Sequence, residues 1–483
     1  MAAKHLILGL ITSLALSFLS RANENDKPNV LFIFADDLGY GDLSCYGAEK
    51  VKTPNIDRLA DEGILFTDAH SAASLCSPSR YGLLTGKAPW RLGKKGNGYR
   101  VSPDDFNLGM LFDSQGYETA AIGKWHLGYG KDWNKPPISG PLDVGFDYHF
   151  GVPTNHNDKY RCFIENGDIY GRKEGEDYRL VKGQQMPEGL AKPRVEDQVD
   201  TTLTKKAVEF IEKNHDSPFF LYFAPCCPHT HVTPAEKFRG TSQIGLLGDY
   251  IQELDHHVGT LIATLEKHNL RKNTLIIFTS DNGGSPKDFR GTDGTKLNLA
   301  STSGDILNKY KTAKIDARKM GHITNGVFKD GKGYPFEGGH RIPFIAAWPD
   351  RITPGTISKV PFSLTDILAT AADLTKTELP TNAGEDSFSI LPVLLGQSET
   401  GAREHLFIQG DGKDNAIAVC SGRWKLIAWK RGLDHKSEPV NQLFDLENDP
   451  GEKIDVAKKN PEIVARMSIA LQKARENERT RPL

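Results

Sequence analysis

The sequence predicts an α/β fold in which helices flank a large, mostly parallel sheet, followed by a small antiparallel sheet with a helix. Two observations lead to this prediction. Continuous apolar runs, typical of strands buried on both faces, alternate with segments whose apolar residues recur at helical spacing. Past about residue 380, these runs give way to short strand-like pieces and one long helical pattern. The first pattern favours layers of sheet and helices, and the second favours a smaller C-terminal unit.

The N-terminal residues have the pattern of an export signal. Lys4 precedes an apolar run from Leu6 to Leu19, and Ser20-Arg21-Ala22 offers a small-x-small cleavage site. We interpret residues 1–22 as a signal peptide, with an uncleaved anchor as the alternative. The mature protein is expected to be exported, and periplasmic or secreted if the source is bacterial. No later stretch of the sequence is apolar enough to cross a membrane.

Four apolar runs are predicted as strands of the main sheet. They are Val30 to Ala35, Thr119 to Ile122, Phe219 to Ala224 and Leu275 to Thr279. Three helical patterns lie between them: the segment from Thr53 to Gly63, the face Leu203, Ala207, Phe210 and Ile211, and the face Ile251, Leu254, Val258, Leu261 and Leu265. Because sites in such sheets gather beyond the carboxyl ends of the strands, the polar residues that follow each run are candidates for function.

The rest of the chain divides into a large domain, residues 23–380, and a small C-terminal subdomain, residues 381–483. Short strands are predicted at Ala416 to Cys420, Trp424 to Ala428 and Gln442 to Asp445, with a helix from Pro461 to Arg479. Residues 127–198 and 283–331 have no regular pattern and are expected to be irregular.

The charge balance excludes one class of partner. The 483 residues include 60 Lys and Arg against 62 Asp and Glu, and removal of the signal peptide takes away Lys4 and Arg21 but no acidic residue. Without a basic excess to neutralise phosphates, nucleic acid is not expected as a partner.

Acidic and amide side chains follow two of the predicted strands. Asp36 and Asp37 follow the first, and Asp281 and Asn282 follow the strand at 275–279. Adjacent carboxylates repel each other unless a cation or hydrogen bonds compensate. Their oxygens suit Ca²⁺ or Mg²⁺ better than Zn²⁺. Taken alone, Asp36-Asp37 is equally compatible with a turn or a helix cap.

The segment Cys76-Ser77-Pro78-Ser79-Arg80, continuing to Gly86, is the most informative in the chain. Ser77 is expected to cap a helix that Pro78 starts and Gly86 ends, so residue 76 is expected just ahead of a helix N-terminus, which attracts anions. The segment resembles the C-x-P-S-R and L-x-T-G signature of type I sulfatases. An unmodified Cys before a surface helix is the alternative. In that family the Cys is oxidised to formylglycine, so the resemblance implies a maturation partner, either a formylglycine-generating or a radical enzyme.

Other segments resemble further motifs of the same family and cover nearly the whole mature chain. They are Phe34 to Asp42, Gly123 to Gly128, Pro228 to Pro234, Thr279 to Gly283 and Gly331 to Pro343. The resemblance implies an alkaline-phosphatase-like fold, with residues 23–380 as the catalytic domain. It also implies one divalent cation, usually Ca²⁺ with Mg²⁺ possible, and a set of metal ligands: Asp36, Asp37, Cys76 as formylglycine, Asp281 and Asn282. Asp42 is interpreted as structural.

The resemblance also implies catalytic roles. Hydrated formylglycine made from Cys76 supplies the attacking hydroxyl, while Arg80, Lys124 and Lys332 hold the sulfate. His229, with Lys332, protonates the leaving oxygen, and His126 removes a proton to expel sulfate. The segment after Pro228 has two extra residues, so His231 is the alternative to His229. Gly151 to His156 resembles a segment that carries a Ser in some members, where this chain has Asn155.

The expected substrate is a sulfated saccharide or polysaccharide. Residues proposed to contact it are Asn155, His156, Arg290, His322, Asn325 and His340. Two alternatives remain at this stage. One is a phosphatase or phosphonate monoester hydrolase of the same superfamily, although the extra metal ligands of such phosphatases are not evident. The other is a non-catalytic binder of sulfated glycans, if Cys76 stays unmodified. Apart from Cys76, five Cys remain, so at least one is expected to be free or paired outside the chain.

Overall fold

A computed structural model describes residues 27–92, 99–158, 160–173, 194–285, 317–410, 416–430 and 439–482. The α-helices among them are α1 Pro54–Asp61, α2 Cys76–Thr85, α3 Leu108–Ser114, α4 Val199–Lys213, α5 Leu246–Lys267, α6 Glu337–His340, α7 Ile367–Thr375, α8 Leu391–Leu394 and α9 Pro461–Glu476. The predicted signal peptide lies outside the described residues.

The strands follow the same order along the chain. They are β1 Asn29–Ala35, β2 Ile64–Phe66, β3 Ala69–His70, β4 Glu118–Lys124, β5 Tyr148–Val152, β6 Ile164–Glu165, β7 Asp168–Ile169, β8 Phe219–Ala224, β9 Thr274–Ser280, β10 Phe344–Ala347, β11 Thr356–Ser358, β12 Phe362–Ser363, β13 Leu406–Gly410, β14 Ala416–Ser421, β15 Trp424–Trp429 and β16 Val440–Asp445.

The main sheet has the order β11-β2-β10-β9-β1-β8-β4-β5-β6-β7 within the described residues. Its centre, β9-β1-β8-β4-β5, is parallel throughout. Strand β10 runs antiparallel to β9 at one side, and β6 runs antiparallel to β5 at the other. The carboxyl ends of β1, β4, β8 and β9 therefore meet at one edge, where the candidate functional residues follow.

Side chains of the central strands alternate between two cores, one on each face of the sheet. In β1, Leu31 and Ile33 enter the core covered by α1, α4 and α5, whereas Phe32 and Phe34 enter the core covered by α2, α3 and α7. All four are at most 1 % exposed. A strand buried on both faces must be apolar at every position, which explains the unbroken apolar run in the sequence.

The C-terminal sheet is antiparallel, in the order β13-β14-β15-β16. Met467 and Leu471 of α9 pack on one of its faces. Phe336, from the segment before α6, packs on the other face. The small sheet is therefore packed between α9 and the segment that precedes α6.

The structure confirms the α/β architecture and the positions of the predicted strands and helices, but it also adds elements. The segment 127–198, expected to be irregular, contains β5, which pairs in parallel with β4. Strands β10 and β13 were not predicted either. All six Cys are free, so no disulfide links them. No helix of the described residues has the length and apolar character needed to span a membrane.

Candidate active site

Two neighbouring strands deliver the carboxylates of the candidate site. Ala35, the last residue of β1, pairs with Ser280, the last residue of β9. The pairs that follow, Asp36-Asp37 and Asp281-Asn282, therefore leave the sheet side by side. The backbone N–H of Asp37 donates to Asp281 Oδ1 at 3.1 Å. The side chains of all four are at most 2 % exposed, a burial that carboxylates tolerate only when opposite charge accompanies them.

Two buried cations accompany the carboxylates. Lys124, the last residue of β4, places Nζ 2.7 and 2.8 Å from the two carboxylate oxygens of Asp36. Arg80 of α2 donates from Nε to Asp281 Oδ2 at 2.9 Å, and its Nη2 lies 2.8 Å from the same oxygen. Arg80 also donates from Nη1 to the carbonyl of Lys124. Both cations are therefore fixed before any ligand arrives.

Cys76 lies against these groups at the start of α2 and is 6 % exposed. Its Sγ and oxygens of Asp36 and Asp281 all lie within 4.8 Å of one another. The prediction that Ser77 caps the helix is wrong: Cys76 is already helical, Leu75 is the N-cap, and Ser77 Oγ donates to the carbonyl of His126. A neighbouring carbonyl competes for that hydroxyl, which single-sequence reasoning cannot detect.

A second set of residues surrounds Asp37. Lys332 Nζ lies 2.6 Å from Asp37 Oδ1, and Asn282 donates from Nδ2 to the same oxygen at 2.9 Å. His229, which follows β8, places Nε2 3.8 Å from Asp37 Oδ2. The structure thus brings together every residue of the predicted metal set and, in direct contact with that set, Arg80, Lys124, Lys332 and His229.

The donor set fits a divalent cation of the Ca²⁺ or Mg²⁺ type. Asn282 Oδ1 is buried and has no hydrogen-bond partner among the described residues, and a buried carbonyl oxygen without a donor is costly. Oxygens of Asp36 and Asp37 lie within 4.8 Å of the His229 ring nitrogen that completes a second possible cluster. Three carboxylates and one amide oxygen are hard ligands, as these ions prefer.

Charges in the site give its lysines and His126 different protonation states. Burial alone would lower the pKa of the Lys332 ammonium, but Asp37 and the other site carboxylates raise it. The pKa of Lys124 is raised in the same way, chiefly by Asp36. Burial lowers the pKa of His126 well below its usual value, and the positive charges of Lys124 and Arg80 lower it further. The site therefore combines charged lysines with a neutral imidazole.

Of the predicted substrate contacts, Asn155 has a polar atom that is not satisfied within the protein. It is partly exposed, and its Oδ1 has no partner among the described residues. His156 next to it is fully buried, and its Nε2 lies 2.7 Å from Thr233 Oγ1 and 3.4 Å from Glu196. His156 Nδ1 has no hydrogen-bond partner among the described residues, so its contact with substrate stays a prediction.

Three other residues predicted to contact substrate have partners within the protein. His322 is hydrogen-bonded through Nε2 to Asp42 at 2.7 Å. Asn325 uses both ends of its amide on backbone atoms, accepting from Gly284 N and donating to Gly284 O. His340 is fully buried, and both of its ring nitrogens have protein partners. The polar atoms of Asn325 and His340 are already hydrogen-bonded within the protein, and contact of the three residues with substrate stays a prediction. Arg290 lies outside the described residues.

Tyr222, in the middle of β8, is a residue of the site that was not predicted from the sequence. Its hydroxyl accepts a hydrogen bond from Arg80 Nη1 at 3.3 Å and is fully enclosed. The signal was a lone tyrosine in an otherwise apolar, buried run, because a buried phenol needs a polar partner. That partner is the guanidinium that also binds Asp281.

Comparisons with known proteins identify relatives of this chain. The family model described as Sulfatase matches residues 28–377. The chain is 34 % identical to an N-acetylgalactosamine-6-O-sulfatase of Bacteroides thetaiotaomicron over 93 % of each chain. It is 31 % identical to the dog N-acetylgalactosamine-6-sulfatase over 93 % of this chain and 85 % of that one. A solved Bacteroides thetaiotaomicron structure, described in connection with glycosaminoglycan metabolism, aligns with a TM-score of 0.82 and 32 % identity over 94 % of this chain and all of that one.

Proposed function

The chain belongs to the sulfatase family, and from this premise we propose that it removes the sulfate from 6-O-sulfated N-acetylgalactosamine or a closely related sugar of a sulfated glycan. As a sulfatase it is a sulfuric ester hydrolase. The choice of sugar is supported by the names of the relatives with which it shares nearly its whole length.

One observation supports the chemistry above all others: Cys76 lies with three buried carboxylates and three buried or nearly buried cations. Arg80, Lys124 and Lys332 each contact a carboxylate at 2.6 to 2.8 Å, so their positions are set in advance. Fixed positive charge that needs no reorganisation is what an anionic ester requires as its charge moves towards the leaving oxygen. In this proposal the three cations bind the sulfate oxygens.

The proposal includes two groups that the chain acquires. Formylglycine, made from Cys76 by a maturation enzyme, supplies a hydrated aldehyde as nucleophile, and a divalent cation held by Asp36, Asp37, Asp281 and Asn282 supplies positive charge beside it. Ca²⁺ is the proposed ion. We also propose that residues 1–22 direct export of the protein to the compartment in which it meets its glycan substrate.

The two histidines are suited to opposite proton transfers. His126 is neutral because its pKa is held well below the usual value by burial and by Lys124, so it can accept a proton. His229 Nδ1 donates to the carbonyl of Thr230, and its Nε2 lies 3.8 Å from the Asp37 carboxylate. His229, with Lys332, is therefore proposed as the proton donor to the leaving oxygen.

The test is a substrate panel with a matched inactive variant. Sulfate release is measured from N-acetylgalactosamine carrying sulfate at O6 or at O4, from galactose 6-sulfate, from N-acetylglucosamine 6-sulfate and from an aryl sulfate, with a phosphate monoester beside them. Mass spectrometry of the peptide containing Cys76 gives the fraction converted to formylglycine.

We expect the 6-O-sulfated N-acetylgalactosamine to give the highest kcat/KM. Cys76→Ala should lose turnover by a factor on the order of a thousand or more while keeping its melting temperature, because the position supplies the nucleophile. Sulfate release by folded Cys76→Ala at the wild-type rate would exclude the mechanism. A preference for the O4 ester or for the phosphate ester would exclude the proposed substrate.

A further inference from the structure

Six side chains form a closed hydrogen-bonded ring between the C-terminal sheet and the large domain. They are Asp68, His70, Glu337, His340, Arg341 and Lys425. We call this set the buried ring. Lys425 comes from β15, whereas the other five come from the two segments 68–70 and 337–341. All except Asp68 are at most 8 % exposed.

The bonds can be followed around the ring. Lys425 Nζ lies 2.9 Å from Glu337 Oε1 and 2.9 Å from His340 Nε2. His340 Nδ1 lies 2.9 Å from His70 Nδ1, and His70 Nε2 lies 2.7 Å from Asp68 Oδ1. The ring closes at Arg341, which donates to Glu337 Oε2 at 2.7 Å and to Asp68 Oδ1.

The ammonium of Lys425 favours one arrangement of protons, although His340 Nε2 also lies 3.2 Å from the carbonyl oxygen of Pro335. An ammonium only donates, so His340 accepts at Nε2 and must carry its proton on Nδ1. His70 then accepts at Nδ1 and donates from Nε2 to Asp68. Both rings must be neutral, which agrees with burial lowering the pKa of His70 to about 4 and that of His340 well below its usual value. Lys425 Nζ also lies 2.8 Å from Glu452 Oε1.

The segment that contains Glu337 and His340 also supports the catalytic residues. The carbonyl of Gly339 accepts from Gly283 N at 3.0 Å, directly after Asn282. The backbone N–H of Gly333, next to Lys332, donates to the carbonyl of Ser74 at 2.7 Å. A displacement of this segment would therefore move the loop of a metal ligand and the loop of a catalytic lysine together.

The C-terminal sheet also contacts the segment that leads to Cys76. Gln409 of β13 donates from its backbone N–H to Ala72 O at 3.2 Å and accepts from Ser74 N at 3.0 Å. Ser71 N donates to His340 O at 2.8 Å on the other side. Residues 71–74 are thus held between β13 and the segment of the buried ring.

We propose that Lys425 is a positioning residue for the catalytic site: through the buried ring it holds segments 68–74 and 331–343 in register, so that Cys76 and Lys332 face the same sulfate. This inference rests on the proposed function. A buried ion network contributes little to stability compared with apolar packing, because removing charges from water is costly. Fixed geometry is a role that an apolar residue at position 425 would not fill.

The test compares Lys425→Met with Arg423→Ala. Methionine keeps most of the length of lysine and removes the charge. Arg423 precedes β15 and pairs with Asp445 at the surface, so it serves as the matched control. With rates normalised to formylglycine content, kcat of Lys425→Met should fall roughly ten- to a hundredfold with a smaller change in KM, because small displacements of catalytic groups are that costly. Arg423→Ala should match the wild type.

A double variant separates positioning from stability. Lys425→Met/Glu452→Gln removes one carboxylate together with the ammonium, so it should regain melting temperature while kcat stays low. A kcat that stays at the wild-type value in Lys425→Met, or that follows the melting temperature through both variants, overturns the proposal.

Hydrogen exchange gives a readout that does not depend on activity. The amides of Gly283 and Gly333 should exchange faster in Lys425→Met than in Arg423→Ala. Should the wild type cleave none of the sulfate esters, the proposed function fails, but unchanged exchange at these two amides would still count separately against the positioning role.

Discussion

Each cation of the site is fixed by a carboxylate that also belongs to the proposed metal set. Asp36 binds Lys124, Asp37 binds Lys332, and Asp281 binds Arg80. A bound divalent cation would offset the negative charge of these oxygens, so that the lysines and the arginine attract sulfate more strongly from the positions they already hold. Binding of the metal and binding of sulfate would therefore be coupled, because the same carboxylates contact the metal and the three cations.

Asp281→Asn tests this coupling. The change keeps the shape of the side chain but removes one negative charge from both the metal set and the partner of Arg80. We expect the affinity for Ca²⁺ to fall by at least about tenfold, since carboxylate charge sets the strength of such sites, and turnover to fall with it. Calorimetric titration with Ca²⁺ after exhaustive chelation measures the affinity. Full activity of the chelated wild type, with metal content near zero, would contradict the role of the cation.

At the level of elements, the close approach of β4 and β8 sets the position of Lys124. Gly123, with φ +118°, has no room for a side chain: a Cβ would lie 2.0 Å from the carbonyl oxygen of Ala224. Gly123→Ala should lower the free energy of unfolding by about 3 kcal/mol or more, because both the backbone conformation and the contact are unfavourable. It should also displace Lys124 and reduce activity.

Gly422 provides the control for this substitution. It has φ +55°, lies in the turn between β14 and β15, and has nothing within 4 Å of an added Cβ. Gly422→Ala should therefore cost only the backbone term, about 1 to 2 kcal/mol. Denaturant unfolding of both variants checks the difference, and equal losses would show that the close approach of the two strands is not what requires glycine at position 123.

His149 of β5 makes stability depend on pH. It is fully buried between Tyr129 Oη and the carbonyl of Ala121, and burial lowers its pKa to about 4. The unfolded chain takes up a proton near pH 6.5, whereas the folded chain does so near pH 4, so stability is lost as the pH falls through this window. The loss at pH 4.5 is about 2 to 3 kcal/mol for this residue.

His149→Gln removes this titration. The unfolding free energy of the variant should fall less than that of the wild type between pH 7 and pH 4.5, by about 2 kcal/mol. Comparing the change within each protein cancels the cost of the substitution itself. Equal losses in the two proteins would mean that His149 is not the source.

Whether an element could be predicted depends on how far apart in the sequence its interacting residues lie. The continuous apolar runs of β1, β8 and β9 indicate burial on both faces. The edge of the sheet and the acidic residues that lie there could therefore be predicted. Strand β10 is short, and its burial depends on β9 and β2, far away in sequence. His156 and His340 look like ligands in a linear sequence. Their partners Glu196 and Lys425 become neighbours only in the folded chain, which is why these contacts could not be predicted.

For the whole molecule, the joint between the large domain and the C-terminal sheet should make unfolding cooperative. The two parts share an apolar core through Phe336, a backbone bridge between Ala73 and Gln409, and the charges that Lys425 brings to Glu337. A sheet separated from these partners would leave Glu337 buried without its ammonium, a large penalty for a carboxylate.

Calorimetry should therefore show one thermal transition, with the calorimetric enthalpy close to the van't Hoff value. In Lys425→Met/Glu452→Gln the two parts should remain coupled through Phe336 and Gln409, so unfolding should still be one transition, at a lower temperature than in the wild type because Glu337 has lost its ammonium. Two resolved transitions in the wild type would mean that the small sheet folds on its own, and the active site could then not depend on it for its geometry.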